Sequence, residues 1–290
     1  MKNVFLYLNP KGISENADKL VKVQIENILL LGWDPKDIIF ITNFPYEFMG
    51  VKATEVPSDY FFSDDPASTK CYTLSKMFEK NQVFNDEELY WVHDIDHFQQ
   101  LPFDEEEIVR EMGESDFALC NYGRRVKLNC GSIFFRKSAA DIYAKIRDIM
   151  VDCRQWSKRC EEERALMIMM TNNRNWAFRS SIGAENSFAP YTFEDMSHLS
   201  KRVHIMPITY NFADYNMTSL WKMCGGNPKT AHFNPFPEQA SRKGKDVIEW
   251  KLPFFLGENK LRRPLINERL INLFKQNGII TTGDVSSSDQ

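Results

Sequence analysis

The stretch Glu88–Phe98, ELYWVHDIDHF, decides how the rest of the chain is read. Leu89, Tyr90, Trp91 and Val92 favour a pleated strand buried on both faces, and the run is short enough to be one. It ends by delivering Asp94 and Asp96 with one residue between them. Two carboxylates that close repel each other unless a cation lies beside them, and hard oxygen donors suit Mg2+ or Mn2+. The plainer alternative is that the two aspartates cap the turn after the strand. Strand alternation sets Asp94 and Asp96 on one face, with His93, Ile95 and His97 on the other, until the turn breaks it. His93 and His97 have His-x3-His spacing, but Asp-Ile-Asp lies between them and the context is a strand, so a zinc-protease helix is not expected.

Working outward, the chain alternates strand and helix. Val4–Leu8 reads as a first strand. Asn16–Leu31 reads as an amphipathic helix, with Leu20, Val23, Ile28 and Leu31 apolar and Gly32 closing it. Asp37–Thr42 is a second strand and Val51–Val56 a short third. Pro66–Lys80 is a helix with Leu74, Met77 and Phe78 inward. After the aspartates come an acidic helix (Asp104–Glu111), two strands (Asp116–Asn121 and Leu128–Arg136) and two helices (Ala139–Val151 and Glu161–Thr171). Beyond them the sequence reads as loops and isolated strands rich in Pro, Phe and Asn. This order implies an α/β fold, a mostly parallel central sheet with helices on both faces, whose ligands bind outside the carboxyl ends of the strands. No internal repeat or apolar-poor linker divides the chain. The expectation is one domain over residues 1–282, with a ligand-binding half at 1–125 and a second half at 126–282, and a disordered tail at 283–290.

Composition narrows the function classes. The 290 residues are 43% hydrophobic and 26% charged, an ordinary globular balance. Net charge is −4, and no basic stripe of the kind a nucleic-acid binder carries is present. Arg124-Arg125-Val126-Lys127 and Arg242-Lys243-Gly244-Lys245 are short basic clusters that suit solvated loops or the phosphates of a small ligand. The six cysteines include no CxxC and no zinc spacing. With no signal-peptide h-region and no apolar run long enough to span a bilayer, reduced thiols in a cytoplasmic protein are expected.

The order of later motifs adds a resemblance. Lys70 opens a helix before EELYWVHDID; Asn129-Cys130-Gly131 lies in LNCGSIFFRKS; Glu161-Glu162-Glu163-Arg164-Ala165-Leu166 opens an acidic helix; Met206-Pro207-Ile208-Thr209-Tyr210-Asn211 and Ala231-His232-Phe233 follow. In this order, over residues 1 to about 240, the chain resembles the metal-dependent nucleotide-sugar glycosyltransferases of GT-A fold, in the layout of the glycogenin and lipopolysaccharide galactosyltransferase group. Two departures stand out. Asn234-Pro235-Phe236-Pro237 replaces the Lys-Pro-Trp of that group, leaving Lys229 or Arg242 to meet a diphosphate. Three glutamates also stand where the group has Asp-Gln.

The resemblance implies a set of roles. Asp94, Asp96 and His232 would hold Mn2+ or Mg2+, with Asp94 near the ribose or acting through water. Tyr7 and Asn9 would meet the nucleoside, Lys70 the phosphates, and Asn129 beside Gly131 the sugar hydroxyls. Glu163, then Glu162, would act on the acceptor hydroxyl in an inverting reaction or at the anomeric carbon in a retaining one. The implied reaction moves a sugar from a UDP-sugar (hexose or pentose, such as galactose, glucose or xylose) to a glycan or other hydroxyl acceptor. Trp176, Phe188, Tyr191, Tyr215 and Trp221 are candidates for the acceptor pocket, and core packing is the other reading of each. Two further readings remain: a non-catalytic carbohydrate-binding relative, and a metal-dependent phosphohydrolase or nucleotidyltransferase. The latter class wants Asp-x-Asp-x-Thr early in the chain, where Phe98 stands, or a Gly-Ser before the pair, which Glu88–His93 lacks.

Overall fold

The computed structural model describes residues 1–121, 128–153, 161–171, 202–213, 221–222, 224–233, 252, 254–257 and 261–280. Strand β1 (Lys2–Tyr7) leads to helix α1 (Glu15–Leu30) and strand β2 (Ile38–Thr42). Ser14 caps α1 by accepting the amide of Ala17, and Gly32, at φ +93°, turns the chain out of it. Three two-residue strands follow: β3 (Glu47–Phe48), β4 (Val51–Lys52) and β5 (Thr54–Glu55). Helix α2 (Thr69–Glu79) precedes strand β6 (Leu89–His93), which carries the first part of the opening stretch, and strand β7 (His97–Gln99) begins directly after the aspartates. Then come α3 (Glu105–Met112), β8 (Phe117–Asn121), β9 (Leu128–Arg136), α4 (Ala140–Cys153), α5 (Glu162–Thr171), β10 (Val203–Met206), β11 (Thr230–His232) and α6 (Glu268–Gln276).

Seven strands form the central sheet in the order β10-β8-β9-β6-β1-β2-β5. Its pairs are parallel except those of β9, which runs antiparallel to both β6 and β8. Residue alternation along these strands feeds two opposite cores. On one face Val4, Leu6, Tyr90, Val92, Phe117, Leu119, Ile133 and Phe135 pack with apolar residues of α2, α4 and α5, among them Leu74, Phe78, Tyr143, Ile146 and Leu166. On the other, Phe5 and Phe40 lie with Val21, Ile25 and Ile28 of α1, while Trp91 and Phe134 lie with Ile108 and Met112 of α3. That double covering explains why β6 reads as an unbroken apolar run rather than an alternating one.

A second, smaller unit begins beyond the carboxyl end of the central strand β6. β7 and β11 pair antiparallel as a separate ribbon, and Phe98 and Phe233 on it pack with Phe274 of α6 at ring separations of 5.1 and 5.6 Å. Helix α6 falls where the sequence reading expected only loops and isolated strands. Its signals are an Asn267 cap on the amide of Leu270 and buried Leu270, Ile271 and Phe274 at helical spacing.

Three boundaries differ from the sequence reading. Val51–Val56 is two strands, since β4 pairs with β3 while β5 pairs with β2. The first turn of Pro66–Lys80 is a 3-10 turn at Pro66–Ser68. The late motif Met206–Asn211, which resembles a strand of the family, is strand only to Met206, because Pro207 has no amide to donate and Ile208–Tyr210 tightens into a 3-10 turn. The mostly parallel sheet carries one antiparallel strand in its middle. The basic clusters at 124–127 and 242–245, the tail 283–290, and Trp176, Phe188, Tyr191 and Tyr215 lie outside the described residues. No helix among the described residues is long and apolar enough to cross a membrane.

Phe135 is fully buried, with its ring stacked on Tyr90 and edge-on to Phe78, Phe84 and Tyr143. Phe135→Ala should therefore lower unfolding stability by about 3–5 kcal/mol in urea titration, the range for emptying a tightly packed aromatic site.

Candidate metal centre

Three separate segments meet where β6 ends. Asp94 and Asp96 occupy the turn between β6 and β7. The ribbon register sets His97 opposite His232, and the amide of Phe233 donates to the carbonyl of Asp96 at 3.0 Å. This delivers His232 to the aspartates: its Nε2 lies 3.4 Å from Asp94 Oδ2 and 3.5 Å from Asp96 Oδ1. One ligand atom from each of the three residues falls within 4.8 Å of the others, the one such grouping among the described residues. Both aspartates thus turn to one centre, although they stand in the turn after β6 and not on the strand. Two carboxylates and an imidazole nitrogen, all turned inward, fit a hard divalent cation such as Mn2+ or Mg2+.

The third segment is β9. Because it runs antiparallel to β6, its beginning lies against the carboxyl end of β6, where Ser132 pairs with His93. Its pairing with β8 jumps from Leu119–Ile133 to Cys120–Asn129, so residues 130–132 bulge out of the ladder. A bulge of this kind re-aims backbone groups. Here the Cys130 carbonyl accepts from Lys70, while the Gly131 carbonyl, still in register with β6, accepts from the amide of Asp94 at 3.1 Å. Gly131 is required by space: a Cβ there would lie 2.1 Å from His232 Cε1 and 2.9 Å from Asn129 Oδ1. Asn129 Oδ1 accepts from the Gly131 amide and from Asn211, whereas its Nδ2 is buried with no partner in the protein.

Lys70, expected to face phosphates, is instead 5% exposed, and its ammonium reaches Asp94 Oδ1 at 2.5 Å, Glu162 Oε1 at 3.3 Å and the Cys130 carbonyl. Two of its three donors are given to Asp94 and Cys130, and Glu162 is an ion-pair partner. Burial works against its charge, yet Asp94 and Glu162 hold its pKa well above the usual lysine value. For Asp94 burial again opposes the charged form, but Lys70 and then His232 overcome it and hold the carboxyl well below the ordinary range. Glu162 is pushed up by burial, with Lys70 opposing. Its carboxylate also accepts the Cys71 amide, and its own amide donates to Ser68 Oγ at 3.1 Å, which ties α5 to α2. Glu163, the first choice from sequence, is beside it and partly exposed.

Tyr7 and Asn9 lie at the carboxyl end of β1, the strand beside β6. Asn9 Nδ2 donates to the Tyr7 hydroxyl at 3.1 Å, and its Oδ1 accepts the Lys11 amide. The two other histidines of the opening stretch are no part of the cluster. His93 is buried between the Asn3 side chain and the Asp94 carbonyl and pulled down to about pKa 4 by burial. His97 packs edge-on to Trp91, His93 and His232. Lys229, a candidate for a diphosphate contact, has its ammonium on Glu107 of α3. Trp221 is buried in the second core, with the Arg263 guanidinium 4.1 Å over its ring. The residue that sequence reading left without a role is Asn211, present in the late motif and found in contact with both Asn129 and His232.

No protein-family model matches the chain, and no curated protein matches it in sequence. The fold does match solved structures. The crystal structure of the glycosyltransferase GlyE of Streptococcus pneumoniae TIGR4 is similar over 81% of this chain and 55% of that one, at 12% identity and a TM-score of 0.50. Its apo form is similar over 81% and 54%, at 13% identity and 0.50. The chain spans about half the length of those structures. At such identity the likeness establishes architecture: the chain has the GT-A glycosyltransferase fold that the order of its motifs resembled.

Removing Lys70 would leave Asp94 and Glu162 without their shared cation. Lys70→Ala should cost about 3 kcal/mol near neutral pH, the low end for breaking a buried pair because the Asp94 side chain is 34% exposed. The folded pKa of Asp94 is depressed, so the pair's contribution is present above the unfolded carboxylate value and lost only as pH falls through the lower folded value. In the variant Asp94 loses the group that lowers its pKa most, so its carboxyl is protonated at a higher pH than in the native protein. Urea titrations at about pH 7 and about pH 3.5 should therefore show the gap between the two proteins shrinking at the lower pH.

Proposed function

We propose that the chain is a divalent-metal-dependent glycosyltransferase that moves a sugar from a nucleoside diphosphate, UDP-linked by resemblance, to a hydroxyl of a glycan or similar acceptor. The observation that carries this reading is the meeting of Asp94, Asp96 and His232 at the carboxyl edge of a GT-A sheet. Carboxyl ends of strands in open α/β sheets are where nucleotides bind. A divalent ion held there would neutralise the charge that builds on a departing diphosphate.

In this reading Asp96 and His232 hold the ion directly, and Asp94, shared with Lys70, holds it directly or through water. Lys70 positions Asp94 and Glu162 instead of meeting phosphate. Tyr7 and Asn9 receive the base and ribose at the end of β1. The unpartnered Asn129 Nδ2 donates to a hydroxyl of the donor sugar, and the small Gly131 keeps that approach open. Glu163 is the carboxylate for the reacting centre. It takes the acceptor's proton if the configuration inverts, or faces the positive anomeric carbon if it is retained. Glu162, fixed by Lys70 and the Cys71 amide, sets where α5 begins and hence where Glu163 stands. Hexose or pentose donors such as galactose, glucose or xylose differ by a few polar contacts in such a pocket.

A thermal-shift panel of UDP- and GDP-sugars, with and without Mn2+, tests the reading. One UDP-sugar should stabilise the protein only when Mn2+ is present, by about 2.7 kcal/mol at a hundredfold excess over Kd, and should be slowly hydrolysed. Asp96→Ala should abolish both effects. Stabilisation by a sugar that survives a chelator would mean a carbohydrate-binding protein instead, and phosphate release from simple esters would mean a hydrolase. Burial opposes protonation of His232, but Asp96 and Asp94 raise its pKa above the usual imidazole value. A proton therefore competes for Nε2 at a higher pH than it would for a free imidazole, and Mn2+ affinity should fall as pH is lowered.

A further inference from the structure

We propose that Asn211 is a positioning residue for the metal centre, which fixes neutral His232 in the tautomer that carries its proton on Nδ1 and so leaves the Nε2 lone pair facing Asp94 and Asp96. The inference rests on the metal reading above and deepens it.

The logic begins at a group whose role is not open to choice. A backbone amide can only donate, and the Gly131 amide points at the side-chain amide of Asn129 at 2.8 Å, so the Asn129 atom that meets it is the oxygen. That same oxygen is met at 2.8 Å by the side-chain amide of Asn211, which must present its NH2 group there. The remaining Asn211 atom is therefore its oxygen, and it lies 3.0 Å from His232 Nδ1. An oxygen only accepts, so Nδ1 carries the proton. The opposite ring nitrogen is then the acceptor, and it is the one 3.4 and 3.5 Å from the two aspartates.

Each member of this relay is shut off from water. Asn129 and Asn211 are 1% exposed and His232 is 2% exposed. Reversing any one amide would set two donors or two acceptors face to face in a buried space, with no solvent to compensate. A free histidine side chain favours the other tautomer, with the proton on Nε2, which would aim an N–H at the ion. Asn211 reverses that preference. Gly131 serves twice: its missing side chain makes room for the ring, and its amide sets the direction of every hydrogen bond in the relay.

The experiment is long-range 15N–1H correlation of the histidine rings in the metal-free protein at a pH where His232 is neutral, combined with Mn2+ titration by calorimetry. Native His232 should show a protonated Nδ1 and an unprotonated Nε2. Asn211→Leu should lose that signature and weaken Mn2+ binding by about 10- to 100-fold, the usual effect of removing a group behind a metal ligand. Asn211→Gln, which keeps an NH2 group for Asn129 and an oxygen for Nδ1, should keep the signature and bind Mn2+ better than Asn211→Leu; circular dichroism and unfolding curves confirm that both variants are folded. A native protein with the proton on Nε2, or an Asn211→Leu protein that binds Mn2+ as the native one does, overturns the inference while leaving the proposed function standing. A native protein that binds no Mn2+ at any pH overturns the metal reading and this inference with it.

Discussion

The short pairing of β7 with β11 is the contact on which the rest of the site depends. Sequence neighbours supply Asp94 and Asp96, but His232 is far along the chain, and only the register that sets His97 opposite His232 brings its ring to them. Three residues of ladder cannot hold such a register alone. The ribbon is clamped from behind by Phe98, Phe233 and Phe274, and along one side by Gln24 and Asn27 of α1, whose amides donate to the carbonyls of His97 and Gln99. The hydrophobic contacts of α6 are thus joined mechanically to a polar centre they do not touch.

Electrostatics set the second constraint. Asp94, Asp96 and Glu162 stand against a single buried ammonium, so with all carboxylates ionised the group carries two net negative charges before anything binds. Burying such an excess is costly, and the structure lowers the cost by giving Asp94 to Lys70 and letting Glu162 rise toward protonation. A divalent cation would bring the balance to zero. Lys70 meanwhile ties the two carboxylates Asp94 and Glu162 to one ammonium.

Much of this was legible in the chain itself. The double-sided burial of Leu89–His93 follows from an apolar run without alternation; Asp-Ile-Asp at its end was visible as a carboxylate pair, while His232 was expected beside it only through the resemblance. The role of Gly131 was visible as a small residue beside Asn129, but the clash it avoids was not, because that depends on His232 arriving from elsewhere. Lys70 was misjudged because a helix-borne lysine before an acidic pair reads the same whether it points outward to phosphate or inward to carboxylates; only burial distinguishes them. Asn211 carried no signal of its own. Its meaning comes from contacts with residues 82 and 21 positions away, a separation over which neither periodicity nor spacing carries information. Helix α6 was missed for a different reason, since its cap and apolar face were present but followed a Pro- and Phe-rich stretch that reads as loop.

The bulge in β9 shows how the fold turns a strand into a site without loosening it. A regular β9 would pair Cys130 and Ser132 with β8 and point the intervening groups along the ladder. Skipping from Ile133 to Asn129 frees residues 130–132 from β8, while Ser132 stays paired with His93 and the Gly131 carbonyl extends that pairing to Asp94; the Cys130 carbonyl goes to Lys70 and the Gly131 amide to Asn129. The strand on either side stays fully paired, so these backbone groups are held by the sheet rather than by a loop. A polar relay that must keep one direction needs such a fixed origin. In this chain it is the amide of a residue that could not have been anything but glycine.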